Sequence, residues 1–412
     1  MAKQKRNRNW IQEHFFLIIP KPQKDELLSS WLTRMALVHR RTLTVFLSLF
    51  VKHEGSSLSR RDIDFMFDDK LFDTIAAKSG LDKKEILNMS LRSEEGYLYR
   101  CNDCLYPPNQ IRKLVDKRSH FGLMFCPRCL VEDKIPYFRK KWRYAFYNAC
   151  PKHMVFLTDR CWSCYERIKL TKIKYFDEII YCSKCSRDLR LTTSLKVLSS
   201  HHYGIKAIQW FEKGLERGYF LINNQKINSV FIFESCIRLQ HLLDRREKLI
   251  LDGFPMLDDY KKLCEREQNY HSKKSLSAHK NFYLTSMAYY LFQNYPNNLK
   301  KFAENNKLTY RDFMHGFKNL PFWYIKTIEA IVPMQNKTGR EISESEVVGA
   351  IKYLQSIGEK VTQESVAAIV GCHFTVHKGF VRLYKNITIF PKLMLIIVFL
   401  FKKVCQTMDL LY

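Results

Sequence analysis

The chain has 412 residues, 46% of them hydrophobic and 14% aromatic, which excludes a disordered protein and allows about two to four domains with their own cores. Its 68 Lys and Arg against 41 Asp and Glu give a formal net charge of +27, more than solubility needs. That excess points to a polyanionic partner, double-stranded DNA first, with anionic lipid or a general basic bias as the plainer readings.

Residues 1–120 read as a helical region. Lys3, Lys5, Arg6 and Arg8 form a basic arm, and Pro20-Lys-Pro22 opens an extended lead-in. Asp25 is placed to cap a helix running towards His39, in which Leu27, Leu28, Trp31, Leu32 and Met35 recur at helical spacing. Further helices are expected over Thr44–Lys52, Phe72–Lys78 and Lys83–Leu91, with Gly80 between the last two. A helix, a glycine turn and a helix fit a helix-turn-helix, although ordinary packed helices share the pattern.

Residues 121–192 carry two metal-ligand quartets. Cys126-Pro-Arg-Cys129 precedes Cys150-Pro-Lys-His153, and Cys161-Trp-Ser-Cys164 precedes Cys182-Ser-Lys-Cys185. Each short pair points two ligands at one tetrahedral ion, and a second pair closes the shell, so two structural zinc ions are expected. Between the pairs lie 20 residues in the first quartet and 17 in the second. Closed shells leave no water to activate, and the deaminase signature H-x-E…P-C-x-x-C is not matched, because the prolines sit inside the pairs and His53-Glu54 is adjacent. Disulfides or unligated core thiols are the alternative. A fifth pair, Cys101-Asn-Asp-Cys104, either supplies two spare thiols or closes on Cys126 and Cys129 and shifts the pairing downstream. Nine of the 13 cysteines fall within residues 101–185, which suits metal sites in a reducing compartment. The opening is not an apolar export signal, so a cytoplasmic, nucleoid-associated protein is expected.

Arg112, Lys113, Lys117 and Arg118 lead into this module, and Tyr137-Phe-Arg-Lys-Lys-Trp-Arg-Tyr144 alternates cations with aromatics. Trp142 and Tyr144 suit the small core, which would leave Arg139, Lys140 and Lys141 exposed, with Arg143 beside them, to meet phosphates. Short strands are expected at Lys172–Phe176 and Glu178–Tyr181.

From 193 to 335 the pattern is helical, with runs at Ile208–Leu215, Ser229–Leu243, Asn281–Phe292 and Phe322–Val332 punctuated by Pro296, Pro321 and Pro333. There is no internal repeat, and 14 glycines without Walker spacing give no phosphate cradle. Residues 336–386 form the second helix-turn-helix candidate. Its first helix spans Ile342–Gln355 and breaks at Gly358, and Thr362 caps the next over Gln363–Val370. After the turn at Gly371, a recognition helix over Phe374–Tyr384 would offer Thr375, His377, Lys378 and Arg382 to a groove. Residues 387–412 change composition to an apolar tail, which reads as an out-of-frame terminus or a buried helix. Its run Leu393–Phe401 is far short of the roughly 20 residues of a membrane helix, so no membrane association is expected. The fold class is therefore mainly α, multidomain, with a small β-containing double zinc-ribbon module and helix-turn-helix elements towards both ends.

Pro20-Lys-Pro22, the block Asp25-Glu-Leu-Leu-Ser-Ser-Trp-Leu-Thr-Arg-Met-Ala36, Cys126-Pro-x-Cys-Leu130, Trp142, Cys150-x-x-His153 and the pairs at Cys161 and Cys182 resemble the TniQ/TnsD family of transposition target selectors. The resemblance is strongest from residue 15 to about 185. Looser likenesses follow at Glu234-Ser-Cys-Ile-Arg-Leu and Leu320-Pro-Phe-Trp-Tyr324. It implies a non-enzymatic protein that recognises a target and passes it to an AAA+ regulator (TnsC-like), which recruits the transposase. TnsD-like members read attachment-site DNA directly, while shorter TniQ-like members dock as a homodimer on an RNA-guided Cascade complex with its guide RNA. Two other classes stand beside these, a zinc-ribbon transcription regulator and a zinc-containing nuclease. The nuclease would need a catalytic metal cluster, which the sequence does not display.

Overall fold

Helical spacing in the first hundred residues is realised, among the described residues, as four α-helices in a computed structural model of the protein: α1 (Leu28–Val38), α2 (Leu43–Phe50), α3 (Asp69–Ser79) and α4 (Lys83–Met89). The structure describes residues 16–50, 62–65, 69–101, 107–114, 122–198, 201–245, 249–251, 253–268, 278–315, 320–332, 342–371 and 379–388. Leu28 through Ala36 are all buried, because α1 sits among α2, α3 and α4 in one apolar cluster with Phe46, Phe72 and Ile86. Gly80, at φ +66, ends α3 in the left-handed region that a side chain disfavours, and Asp82 caps α4 by accepting from Lys84 N at 2.8 Å. One expectation fails here. Asp25 does not cap α1; the residue before the helix is Leu27, which makes no side-chain cap, and Asp25 itself lies at φ +59.

The cysteine-rich module is built from turns. Its regular elements are α5 (Pro127–Glu132) and an antiparallel hairpin of β1 (Ala149–Cys150) with β2 (Val155–Phe156). The strands expected at Lys172–Phe176 and Glu178–Tyr181 are absent: Leu170–Lys172 is a single 3-10 turn, and Tyr181 makes one isolated bridge to Asp188. Tight turns around the ligand pairs leave no room for a longer ladder.

Downstream lie α6 (His202–Arg217), a hairpin of β3 (Tyr219–Ile222) and β4 (Gln225–Asn228), α7 (Ser229–Arg245), α8 (Leu257–Gln268), α9 (Ala278–Phe292), α10 (Asn297–Asn305), α11 (Tyr310–Met314) and α12 (Phe322–Ile331). The hairpin turns through Asn223 and Asn224, at φ +49 and +61, the two left-handed positions that a tight two-residue hairpin requires. On α6, a Cβ at Gly204 would lie 2.1 Å from the Phe282 ring, and one at Gly214 would lie 2.0 Å from the Phe220 ring. Two absent side chains thus admit two aromatic rings. Phe146 of the cysteine-rich module stacks on Phe233 of α7 at 5.4 Å and meets Phe211 of α6 at 5.6 Å, so module and helices share one core.

The chain divides after Ile331 into two compact units. The second unit, described by itself, holds α13 (Glu344–Ser356), α14 (Gln363–Val370) and a helical stretch at residues 379–388. Ser343 and Thr362 each complete a capping box, Gly358 turns at φ +73 and Gly371 ends α14 at φ +74. Val347, Ala350, Leu354, Val366, Ala367, Val370 and Phe380 close its core. Arg382 is exposed, while Thr375, His377 and Lys378 lie outside the described residues, as do residues 389–412 of the apolar tail. No helix among the described residues is long and apolar enough to cross a membrane.

Candidate metal centres and the basic stretch beside them

Both quartets assemble as the spacing predicts, each with its four ligand atoms within 4.8 Å of one another. In the first, Cys126 stands just before α5, Pro127 occupies the first helical position where its missing N–H costs nothing, and Cys129 follows on the first turn. Cys150 ends β1, and His153 comes from the tight turn into β2. The three other ligand pairs share one backbone device. The carbonyl of the first ligand accepts from the N–H four residues on (Met154 to Cys150 at 2.8 Å, Tyr165 to Cys161 at 3.1 Å, Ser186 to Cys182 at 2.9 Å). That donating residue takes left-handed φ, at +52, +55 and +52. Each turn therefore aims its two ligands the same way.

His153 Nδ1 lies 3.4, 3.3 and 3.5 Å from the sulfurs of Cys126, Cys129 and Cys150, and Cys129 and Cys150 Sγ are 3.8 Å apart. In the second cluster, Cys161 to Cys185 and Cys164 to Cys182 are each 3.6 Å. A tetrahedral zinc shell requires sulfur pairs about 3.8 Å apart and sulfur–nitrogen pairs about 3.6 Å apart, given metal distances of about 2.3 and 2.05 Å. The donor atoms already sit at that spacing, and a disulfide would need about 2.05 Å. Hydrogen bonds from Cys126 and Cys129 push the Cys150 thiol down, while those from Cys126 and Cys150 push Cys129 up. A divalent cation would take the place of the thiol protons.

Glu132 Oε1 lies 2.8 Å from His153 Nε2, on the ring edge opposite the sulfurs, so a carboxylate backs the histidine ligand. Glu132 was not singled out from sequence. It could have been, standing three residues after Cys129 on the same short helix. Cys101 is disulfide-bonded and joins neither cluster, and Cys104 lies outside the described residues.

The basic stretch corrects the sequence reading. Arg139, Lys140 and Lys141 are not an exposed phosphate-binding row. Arg139 pairs with Asp133 at 2.7 Å and lies over the Tyr137 and Trp142 rings; Lys140 pairs with Glu94 at 2.5 Å and donates to Asn88 O and Ser93 Oγ; Lys141 pairs with Glu212 at 2.8 Å. Arg143 has no exposed surface and holds Asp62 at 2.5 Å and Asp64 at 2.9 Å. Apart from Asp133, the acids that claim these cations are distant in sequence, and no periodicity marks them. Trp142 is buried as expected, and so is Tyr144.

The same stretch is grasped by the block that begins at Asp25. Leu27 N donates to Phe138 O, Lys140 N to Asp25 O, and Phe138 N to Ser30 Oγ. Glu26 in turn receives Ser30 Oγ and Arg34, whose pairing at 2.6 Å is buried, and Ser29 donates through N and Oγ to Asp64. Helix α1, residues 62–65 and the first cluster are thereby one polar clasp inside an apolar core. Burial pushes the Asp64 carboxyl up to about 6 against the pull of Arg143, and burial likewise pushes Asp25 up to about 6 against Lys141 and Lys140.

Residues 17–157 match the TniQ family model, consistent with a TniQ/TnsD family protein. The match spans the clasp and the first cluster and ends before the second. A TniQ domain supports involvement in Tn7-like or Cascade-associated transposition. No curated protein matches the chain.

Proposed function

We propose that the chain is a target-site selector for a transposon: it binds target DNA and presents the occupied site to an AAA+ ATPase regulator, which recruits the transposase. The observation that carries this reading is the TniQ match across residues 17–157, which covers the clasp and the first cluster together. In this reading each cluster holds one zinc ion. Three cysteines and a histidine in the first cluster, and four cysteines in the second, fill all four positions of each ion. Such ions hold structure and perform no bond chemistry, and the chain is not an enzyme. The +27 charge supplies attraction to the DNA backbone. Base reading falls to the second unit, whose α13, Gly358 turn, α14 and helical residues 379–388 have the order of a helix-turn-helix with Arg382 outward.

The test is retention of sheared genomic DNA by the purified protein at about 0.15 M salt, where purely electrostatic binding is weakened. Enrichment of one site supports direct DNA reading. Uniform weak retention rejects it, and target choice then passes to a partner such as an RNA-guided Cascade complex. Mg²⁺-dependent cleavage of the DNA would contradict the non-enzymatic part.

A further inference from the structure

Four large aromatic side chains around the second cluster stay in solvent: Trp162, Tyr165, Tyr175 and Phe176. Tyr165 is 73% exposed and sits at φ +55, in the left-handed region where glycine is favoured. The fold gains neither burial nor backbone ease from a tyrosine there. Trp162 is held edge-on by its Nε1, which donates to Asp188 O at 2.9 Å, and its ring remains 40% exposed. Tyr175 and Phe176 meet edge to face at 5.3 Å on a loop fastened to the second ligand pair, where Lys174 Nζ lies 3.2 Å from Ser186 Oγ and Ser186 donates to Asp177 at 2.8 Å. Trp162, Tyr175 and Phe176 are thereby held in place.

The sequence around them is basic, and Lys174 Nζ lies 5.7 Å from the centre of the Phe176 ring. Residues 158–198 hold nine Lys and Arg against five Asp and Glu, a positive balance that survives the double negative charge of a zinc ion with four thiolates. Lys172 and Arg187 are exposed and make no ion pair among the described residues, unlike the cations beside the first cluster. Exposed rings interleaved along the sequence with unpaired cations match the two demands of an unpaired strand, stacking for bases and charge for phosphates. A duplex hides its base faces and could use only the cations. We propose that the second cluster presents an aromatic platform that takes unpaired or unstacked nucleotides, with Tyr165 and Phe176 stacking on bases and Lys172 and Arg187 on phosphates. This rests on the reading that the chain binds nucleic acid, and adds the form of strand it takes.

The test is fluorescence anisotropy with the full chain, using a short mixed-sequence single strand and the matching duplex. Tyr165→Gly eases the backbone as it removes the ring, and Phe176→Ala removes an exposed ring, so both should keep the zinc content and unfolding midpoint of the parent. Each is expected to weaken single-strand binding by roughly tenfold, with an unchanged salt slope and little effect on the duplex. Phe176→Tyr should retain parental affinity. Variants that keep two zinc ions and bind the single strand like the parent would overturn the platform. A parent that binds duplex but not single strand overturns the platform alone, whereas a parent that binds neither overturns the nucleic-acid reading too.

Discussion

Three of the four ligand pairs share one turn, yet the two clusters sit in opposite surroundings. In the first, Cys126, Cys129 and Cys150 are buried, every basic residue from 139 to 143 is committed to an acid, and the surroundings are the core of the unit. In the second, Cys164 and Cys185 are only half-buried, and rings and cations face solvent. Similar ligand spacing therefore says little about role. What distinguishes the two clusters is whether neighbouring charges find partners within the chain. The family match stops between the two.

The comparison can be broken most directly at the ligands. Cys126→Ser should cost the first ion and the cooperative unfolding of the first unit, since the folding free energy of a structural zinc site, of order 10 kcal/mol, goes with the metal. Cys182→Ser should lose one ion of two and leave the main transition in place, as read by metal analysis beside circular dichroism. Equal damage from both would erase the distinction. Arg143→Met should come next, at about 3–5 kcal/mol, because it strands Asp62 and Asp64 without their buried cation. Its zinc content should stay at two, which denaturant melts with metal analysis would check.

Glu132→Gln sharpens the comparison at its edge. It removes the carboxylate behind His153 and should weaken the first site by about 10- to 100-fold in chelator competition, leaving the second unchanged. The smallest effect is on pH. Asp25 and Asp64 hold their protons more tightly folded than unfolded, since burial raises both to about 6 from an ordinary 3.8. Their contribution is thus fully present below about pH 4 and is lost as pH rises through 6. Asp25→Asn, which suits a left-handed backbone, should flatten part of that decline and raise the urea midpoint at pH 7 relative to the parent. A parallel pair of pH curves would remove Asp25 from the account.

The metal ligands were legible because spacing is local: two ligands separated by two residues define a turn, and the turn defines the aim. The helices were legible for the same reason, down to Thr362 and Gly371 at the ends of α14. The hairpin at Asn223 and Asn224 escaped because its strands are only four residues each, too short for an alternating pattern to stand out. Alternating cations and aromatics at 137–144 misled because alternation reports which residues can meet phosphate, not which meet an acid first. Glu94, Glu212, Asp62 and Asp64 arrive from other elements, and only the fold brings them there.

The clasp also sets an order of events during synthesis. Ser30 waits for Phe138, 108 residues later, and Asp64 waits for Arg143, 79 residues later. A ribosome adds about 5–20 residues per second, so α1 spends several seconds made but unable to seat Trp31 against its finished surroundings. The first cluster is completed only when His153 emerges, shortly after those partners. The first cluster can therefore take up its ion before the second cluster and the downstream helices have been made.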